Sequence, residues 1–259
     1  MSDRDLRITL VQADLAWENA VQNLQQFDRH LDEIGATDLI VLPEMFTTGF
    51  SMNPQAVAEP MDGPAVEWMR ETARQHDADI VGSVAIREDG RYFNRLLWAR
   101  PDGALIHYDK RHLFTYAGEH EHYTPGQAQQ VVHLKGWNIA PFICFDLRFP
   151  VWSRNRGQYD AALYIASWPA RRAAHWKSLL PARAIENQAY VIGVNRVGID
   201  GNDLAYDGDS MVIDPLGDIC FHANVNAVVH QQQLSRRMLD DTRAKLPFLR
   251  ECEQFELTV

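Results

Sequence analysis

The hydrophobic pattern switches several times between a period of two and a period of three to four. Residues 7–12 alternate in strand fashion; beyond Asp14, the apolar positions Val21, Leu24, Phe27, Leu31 and Ile34 fall at steps of three and four, which predicts an amphipathic helix. Residues 38–43 read Asp-Leu-Ile-Val-Leu-Pro, an apolar run too short for a helix and suited to a strand covered on both faces. A turn-rich loop then leads to Gly63, and Pro64 opens a second helix in the favoured first-turn position. An apolar strand is predicted at 79–86. The turn signals Asp89-Gly90 and Pro101-Asp102-Gly103 set off strands at 91–99 and 104–109, a β-meander.

Residues 110–129 have no clear period and contain Glu119, His120, Glu121 and His122, so they read as a functional loop or lid. Strands at 130–134 and 137–143, a short helix after Pro150, a strand at 161–166, a helix over 175–188 and a strand at 190–195 follow. Past the turn at Asp207-Gly208 come strands at 211–213, 218–223 and near 227–232, then a last helix over 235–246. Many strands among four or five helices predict an α/β architecture, two sheets packed face to face with helices outside; the pattern alone also allows one twisted open sheet. No internal repeat or linker-like break divides the chain, so a single domain over residues 1–259 is expected.

Composition narrows the function more than the fold. The 35 acidic and 25 basic residues give a net charge of −10, which repels phosphate backbones and anionic lipids, so neither nucleic acid nor membrane is an expected partner. The charged opening through Arg7 lacks the apolar stretch of a signal peptide, and no run is long enough to span a bilayer. With three widely spaced cysteines, Cys144, Cys220 and Cys252, the expectation is a cytoplasmic protein with free thiols.

Three polar residues stand at the ends of strand-like runs: Glu44, Lys110 and Cys144. Singly, each has an ordinary reading, as a solvated carboxylate, a surface charge and a small buried hydrophobe. Together they make a chemical set. Moving a proton from a thiol to a carboxylate in water is uphill by about 4 pKa units, or roughly 6 kcal/mol. A neighbouring ammonium is expected to lower the thiol's pKa and burial to raise the carboxyl's, and the same ammonium, with the backbone N–H of Phe145, can stabilise a tetrahedral oxyanion.

The segments Leu42-Pro43-Glu44-Met45-Phe46, Tyr108-Asp109-Lys110-Arg111-His112-Leu113-Phe114 and Ile143-Cys144-Phe145-Asp146-Leu147-Arg148-Phe149-Pro150 resemble, in order and spacing, the three signature regions of the nitrilase superfamily of carbon–nitrogen hydrolases. The resemblance spans essentially the whole chain. It implies a four-layer α-β-β-α sandwich, a homodimer or larger assembly, no cofactor, and an amide-type small-molecule substrate. Glu44 is then the general base, Lys110 the oxyanion stabiliser and Cys144 the nucleophile that forms a thioester. A second glutamate is implied in the loop after the lysine; Glu119 occupies the matching place, with Glu121 as its rival.

Within the superfamily, the stretches 44–52, Ser167-Trp168-Pro169-Ala170-Arg171-Arg172 and 182–188 resemble the omega-amidases, which hydrolyse the side-chain amide of 2-oxo acids such as 2-oxoglutaramate. Such a substrate carries a carboxylate, which a guanidinium fork grips well. Arg148, Arg171 and Arg172 are the candidates by position, with Trp168, Phe46 and Phe145 as walls. Competing readings are a deaminated glutathione amidase, an N-carbamoyl amidohydrolase or a nitrilase. Outside the superfamily stand a metallohydrolase built on the Glu119-His120-Glu121-His122 run and a non-catalytic binding scaffold. That run lacks the helical His-x-x-x-His pair of a zinc site, and no metal is assigned to it.

Overall fold

The computed structural model describes residues 5–257; residues 1–4 of the charged opening lie outside them. The first half runs β1 (Leu6–Gln12), α1 (Ala20–Leu31), β2 (Leu39–Val41), α2 (Pro54–Val57), α3 (Pro64–His76), β3 (Asp79–Glu88), β4 (Arg91–Ala99) and β5 (Leu105–Asp109). The second half runs α4 (Glu119–His122), β6 (Val132–Leu134), β7 (Trp137–Ile143), β8 (Ala161–Ala166), α5 (Ala173–Asn187), β9 (Tyr190–Asn195), β10 (Val197–Ile199), β11 (Ala205–Asp207), β12 (Met211–Ile213), β13 (Ile219–His222), β14 (Val228–Leu234) and α6 (Arg236–Lys245).

Two six-stranded sheets result, ordered β14-β1-β2-β3-β4-β5 and β13-β12-β9-β8-β7-β6, with β10-β11 as a separate hairpin. Each has a parallel centre, β1-β2-β3 in one and β7-β8-β9 in the other, flanked by antiparallel strands. Strand alternation assigns the layers. Leu6, Ile8, Leu10, Val81, Leu96 and Trp98 share one apolar cluster with Ile139, Phe142, Leu163 and Ile192 of the facing sheet. The alternate residues Ile40, Ile80, Leu97 and Ala99 turn the other way and bury Phe27 and Leu31 of α1 with Val66 and Met69 of α3. Trp176, Leu180 and Ala184 of α5 are buried with the second sheet. This is the helix–sheet–sheet–helix order, formed because parallel strands apolar on both faces need cover on both.

Three local readings change. The turn-rich loop before Gly63 contains the one-turn helix α2, and the 110–129 segment contains a 3-10 turn at Thr115–Ala117 followed by α4. No helix follows Pro150; a 3-10 turn at Cys144–Arg148 precedes it, and residues 150–153 are turns. Among the described residues no helix is long and apolar enough to cross a membrane.

Candidate active site

The parallel strands and the meander deliver their C-terminal ends to one place. Glu44 lies just past β2, Lys110 directly past β5, Cys144 directly past β7 and Ser167 directly past β8. The backbone at two of these ends is bent into the left-handed region, Met45 at φ 45° and Cys144 at φ 46°, a conformation that costs a non-glycine residue about 1–2 kcal/mol. Hydrogen bonds from neighbouring elements hold each bend. Met45 N donates to Ser83 Oγ at 2.8 Å. At the other, the buried Asp146 carboxylate accepts from Ile143 N (3.0 Å), Tyr108 Oη (2.7 Å) and both His112 N (3.0 Å) and Nδ1 (2.8 Å). Asp146 thereby ties the cysteine turn to the strand that carries Lys110. The lysine's backbone is clamped in turn: its N–H donates to Asn94 O, and its carbonyl accepts from the N–H of Gly126. A side chain at Gly126 would collide with Asp109 O, so only glycine permits this approach.

Beneath Cys144, four fully buried polar side chains form a closed cluster. Lys110 Nζ donates to Glu44 Oε1 at 2.8 Å and to Glu119 Oε1 and Oε2 at 3.0 and 2.9 Å. Asn94 Nδ2 donates to the same two Oε1 atoms, at 2.8 Å for Glu44 and 3.2 Å for Glu119. Ser167 N donates to Glu44 Oε2 at 2.7 Å, and Phe114 N donates to Glu119 Oε2. Between the two loop candidates the structure therefore distinguishes by contact: Glu119 is buried against Lys110, whereas Glu121 is exposed. The run 119–122 is split in the same way, because His120 faces solvent with Glu121, and no group of three metal-ligating side chains gathers among the described residues.

The electrostatics revise one expectation. Burial pushes the Cys144 thiol well above its ordinary pKa, Glu44 pushes it further, and the opposing pull of Lys110 does not offset them. One ammonium shared between two carboxylates has little field left for the sulfur. Cys144 therefore rests as a neutral thiol. Burial raises Glu119, as does the charge of Glu44, against the pull of Lys110. Burial by itself favours a neutral Lys110, but Glu119 and Glu44 outweigh it and hold the ammonium charged.

Above the sulfur opens a cavity lined by Cys144, by Phe145 and Trp168, two of the three expected walls, and by the three candidate arginines Arg148, Arg171 and Arg172. Phe46 is not among them. It is fully buried on the far face of the first sheet, its ring 5.5 Å from Phe27 and 5.7 Å from Trp68, so it is a core residue. The aromatic wall on that side is Phe50 instead, whose ring centroid lies 4.9 Å from Lys110 Nζ. Phe114, Leu204 and Tyr206 complete the apolar surface, none of them anticipated. Arg148 lies over the Trp168 ring at 4.8 Å and donates from Nη2 to His175 Nδ1 at 2.8 Å; Arg172 lies over Phe114 at 4.9 Å. Neither has a carboxylate partner among the described residues, and no acidic side chain lines the cavity.

Residues 7–244 match the family described as carbon-nitrogen hydrolase. The chain belongs to the carbon-nitrogen hydrolase family. Among its relatives, omega-amidase YafV of Escherichia coli K12 is 49% identical over 253 residues, covering 97% of this chain and 98% of that protein. The 2-oxoglutaramate amidase of Bacillus subtilis is 33% identical, covering 93% and 95%. This carbon-nitrogen hydrolase also superposes on the crystal structure of XC1258 from Xanthomonas campestris, a CN-hydrolase superfamily protein with an arsenic adduct in its active site. The TM-score is 0.96 at 46% identity, over 98% of this chain and 99% of the other. Nit3 of Saccharomyces cerevisiae, from branch 10 of the nitrilase superfamily, superposes with a TM-score of 0.84 at 25% identity over 94% and 95%. The fold is that of the nitrilase superfamily.

Proposed function

We propose that this protein is an omega-amidase: a single-domain cytoplasmic enzyme, homodimeric and independent of cofactors, that hydrolyses the distal amide of a small 2-oxo acid such as 2-oxoglutaramate. One observation carries the reading. The cavity over Cys144 offers three guanidinium groups, those of Arg148, Arg171 and Arg172, without acidic partners among the described residues, and no carboxylate lines it. An anionic amide finds charge complements there, whereas the ammonium of an α-amino acid amide finds none and is repelled.

In this reading the carboxylate rests against Arg148 or Arg172 and the amide carbonyl lies over Cys144. Because the thiol rests protonated, attack and deprotonation proceed together: Sγ bonds to the carbonyl carbon as Glu44 takes its proton. The oxyanion is stabilised by Lys110 and the Phe145 N–H. Glu44 passes the proton to the departing nitrogen, ammonia leaves, and a thioester remains on Cys144. Glu44 then deprotonates water, which attacks the thioester. Collapse breaks the C–S bond, frees the acid and returns the proton to sulfur. Glu119 keeps Lys110 charged and oriented.

Ammonia release from 2-oxoglutaramate beside glutamine tests the substrate, with Cys144→Ala as control. The oxo acid is expected to be turned over at least about 100-fold more efficiently, since a buried unpaired ammonium is penalised by several kcal/mol. Equal or preferred turnover of glutamine contradicts the assignment.

A further inference from the structure

We infer that Asn94 is a positioning residue of the catalytic cluster: its amide nitrogen bridges Glu44 and Glu119 and dictates which oxygen of Glu44 faces the thiol. This inference rests on the proposed roles of Glu44 and Cys144. Asn94 sits mid-strand on β4, opposite Ala85 of β3 and fully buried. Its two N–H hydrogens go to Glu44 Oε1 and Glu119 Oε1, the two oxygens that also accept from Lys110 Nζ. Two donors and two acceptors thus close a ring. Asn94 Oδ1, by contrast, is buried without a partner among the described residues. An unpaired buried carbonyl is costly, yet the opposite amide orientation would set Oδ1 against two carboxylate oxygens, which is costlier still. The donor is therefore turned inward at the acceptor's expense.

The consequence falls on Glu44. Oε1 is occupied by Lys110 and Asn94, while Oε2 accepts from Ser167 N, and the Cys144 thiol is itself within side-chain hydrogen-bond reach of Glu44. The free lone pair that can receive the thiol proton thus belongs to Oε2. Lys110 is part of this ring, and the titratable groups that face it are Cys144, Tyr123 from the segment after α4 and Tyr206 from β11. Loss of the Asn94 donor removes one hydrogen bond from each carboxylate and so weakens the support of their ionised forms.

The test is Asn94→Ala and Asn94→Ser in the full-length enzyme, with melting temperature as the check on folding. Two profiles are measured against pH: kcat/KM on 2-oxoglutaramate, and alkylation of Cys144 by iodoacetamide, followed on its own peptide so that Cys220 and Cys252 do not interfere. For Asn94→Ala, kcat is expected to fall roughly tenfold to a hundredfold with KM within about threefold. The acidic limb of both profiles is expected to move up by about one pH unit. Asn94→Ser, which keeps one short donor, should lie between Asn94→Ala and the parent. Folded variants with parental limbs and parental kcat overturn the inference; should Ala fail to fold, the same result with Ser does so. Alkylation uses no amide, so it separates this failure from that of the proposed function: parental alkylation unaffected by Glu44→Gln would instead remove Glu44 as the base.

Discussion

The site has two kinds of charge, handled in opposite ways. Below Cys144, Glu44, Lys110 and Glu119 are buried completely, and each charge has an opposite neighbour within hydrogen-bond distance. Around the cavity, Arg148 and Arg172 keep their charge against aromatic faces, without a carboxylate among the described residues. Burial lowers the pKa of both guanidiniums, with Arg171 and Arg148 adding repulsion at Arg172. The difference separates tasks. A cluster that is satisfied internally is assembled before the substrate arrives, as electrostatic preorganisation requires. Cations left without a counter-charge are completed only by a ligand.

Lys110→Met is the most drastic way to break the contrast. It removes the one cation between two buried carboxylates, and uncompensated buried charge of this kind typically costs about 3–5 kcal/mol. Turnover is expected to drop at least about 10²–10³-fold, the scale of losing an oxyanion donor, with a clear fall in melting temperature. Calorimetry beside the ammonia assay checks both. A variant as stable as its parent, with more than a tenth of its activity, would show that the cluster is not the self-satisfied unit described.

The two regions were also unequally legible in the sequence. Strand-end positions exposed Glu44, Lys110 and Cys144 as one set, because a polar residue closing an apolar run interrupts a visible pattern. Asn94 left a fainter mark: asparagine is depleted in strands, yet it stands within Arg91–Ala99 between Phe93 and Arg95. The net effect on the thiol could not be read at all, since the balance of burial, one ammonium and two carboxylates depends on distances. Phe46 was misplaced for a related reason. Phe50 lies four positions further on, and the left-handed residues Met45 and Gly49, which bend the chain around the segment where one ring enters the core and the other reaches the cavity, are invisible in a string of hydrophobic letters. The strand count allowed two packed sheets or one open sheet, and the family resemblance implied two, whereas the β10–β11 hairpin, which brings Tyr206 to the cavity, is too short and too polar to show.

The arginines can be tested separately from the cluster. Arg148→Met and Arg172→Met leave every bond beneath Cys144 in place. If the carboxylate pairs with a guanidinium in ground and transition states alike, KM for 2-oxoglutaramate should rise about tenfold to a hundredfold and kcat should change little, the signature of uniform binding. Hydrolysis of a neutral amide of similar size should be nearly unaffected. The variant with the larger KM effect identifies the main carboxylate contact; a kcat defect common to both substrates would instead tie the arginines to the cluster and erase the distinction.

The smallest expected effect lies where the regions meet. Phe50 presents its ring to Lys110 Nζ at 4.9 Å on one side and forms cavity wall on the other. A cation over an aromatic face is worth about 0.5–2 kcal/mol, more where water is excluded. Phe50→Leu keeps most of the apolar wall and removes the ring's electron-rich face. Lys110 already has two carboxylates, so the ring adds little to its charge state and acts mainly by restricting where the ammonium sits. The expected loss is about threefold to tenfold in kcat, with KM nearly constant. A loss confined to KM would assign Phe50 to the substrate wall alone and leave Lys110 positioned by Glu44, Asn94 and Glu119 without its help.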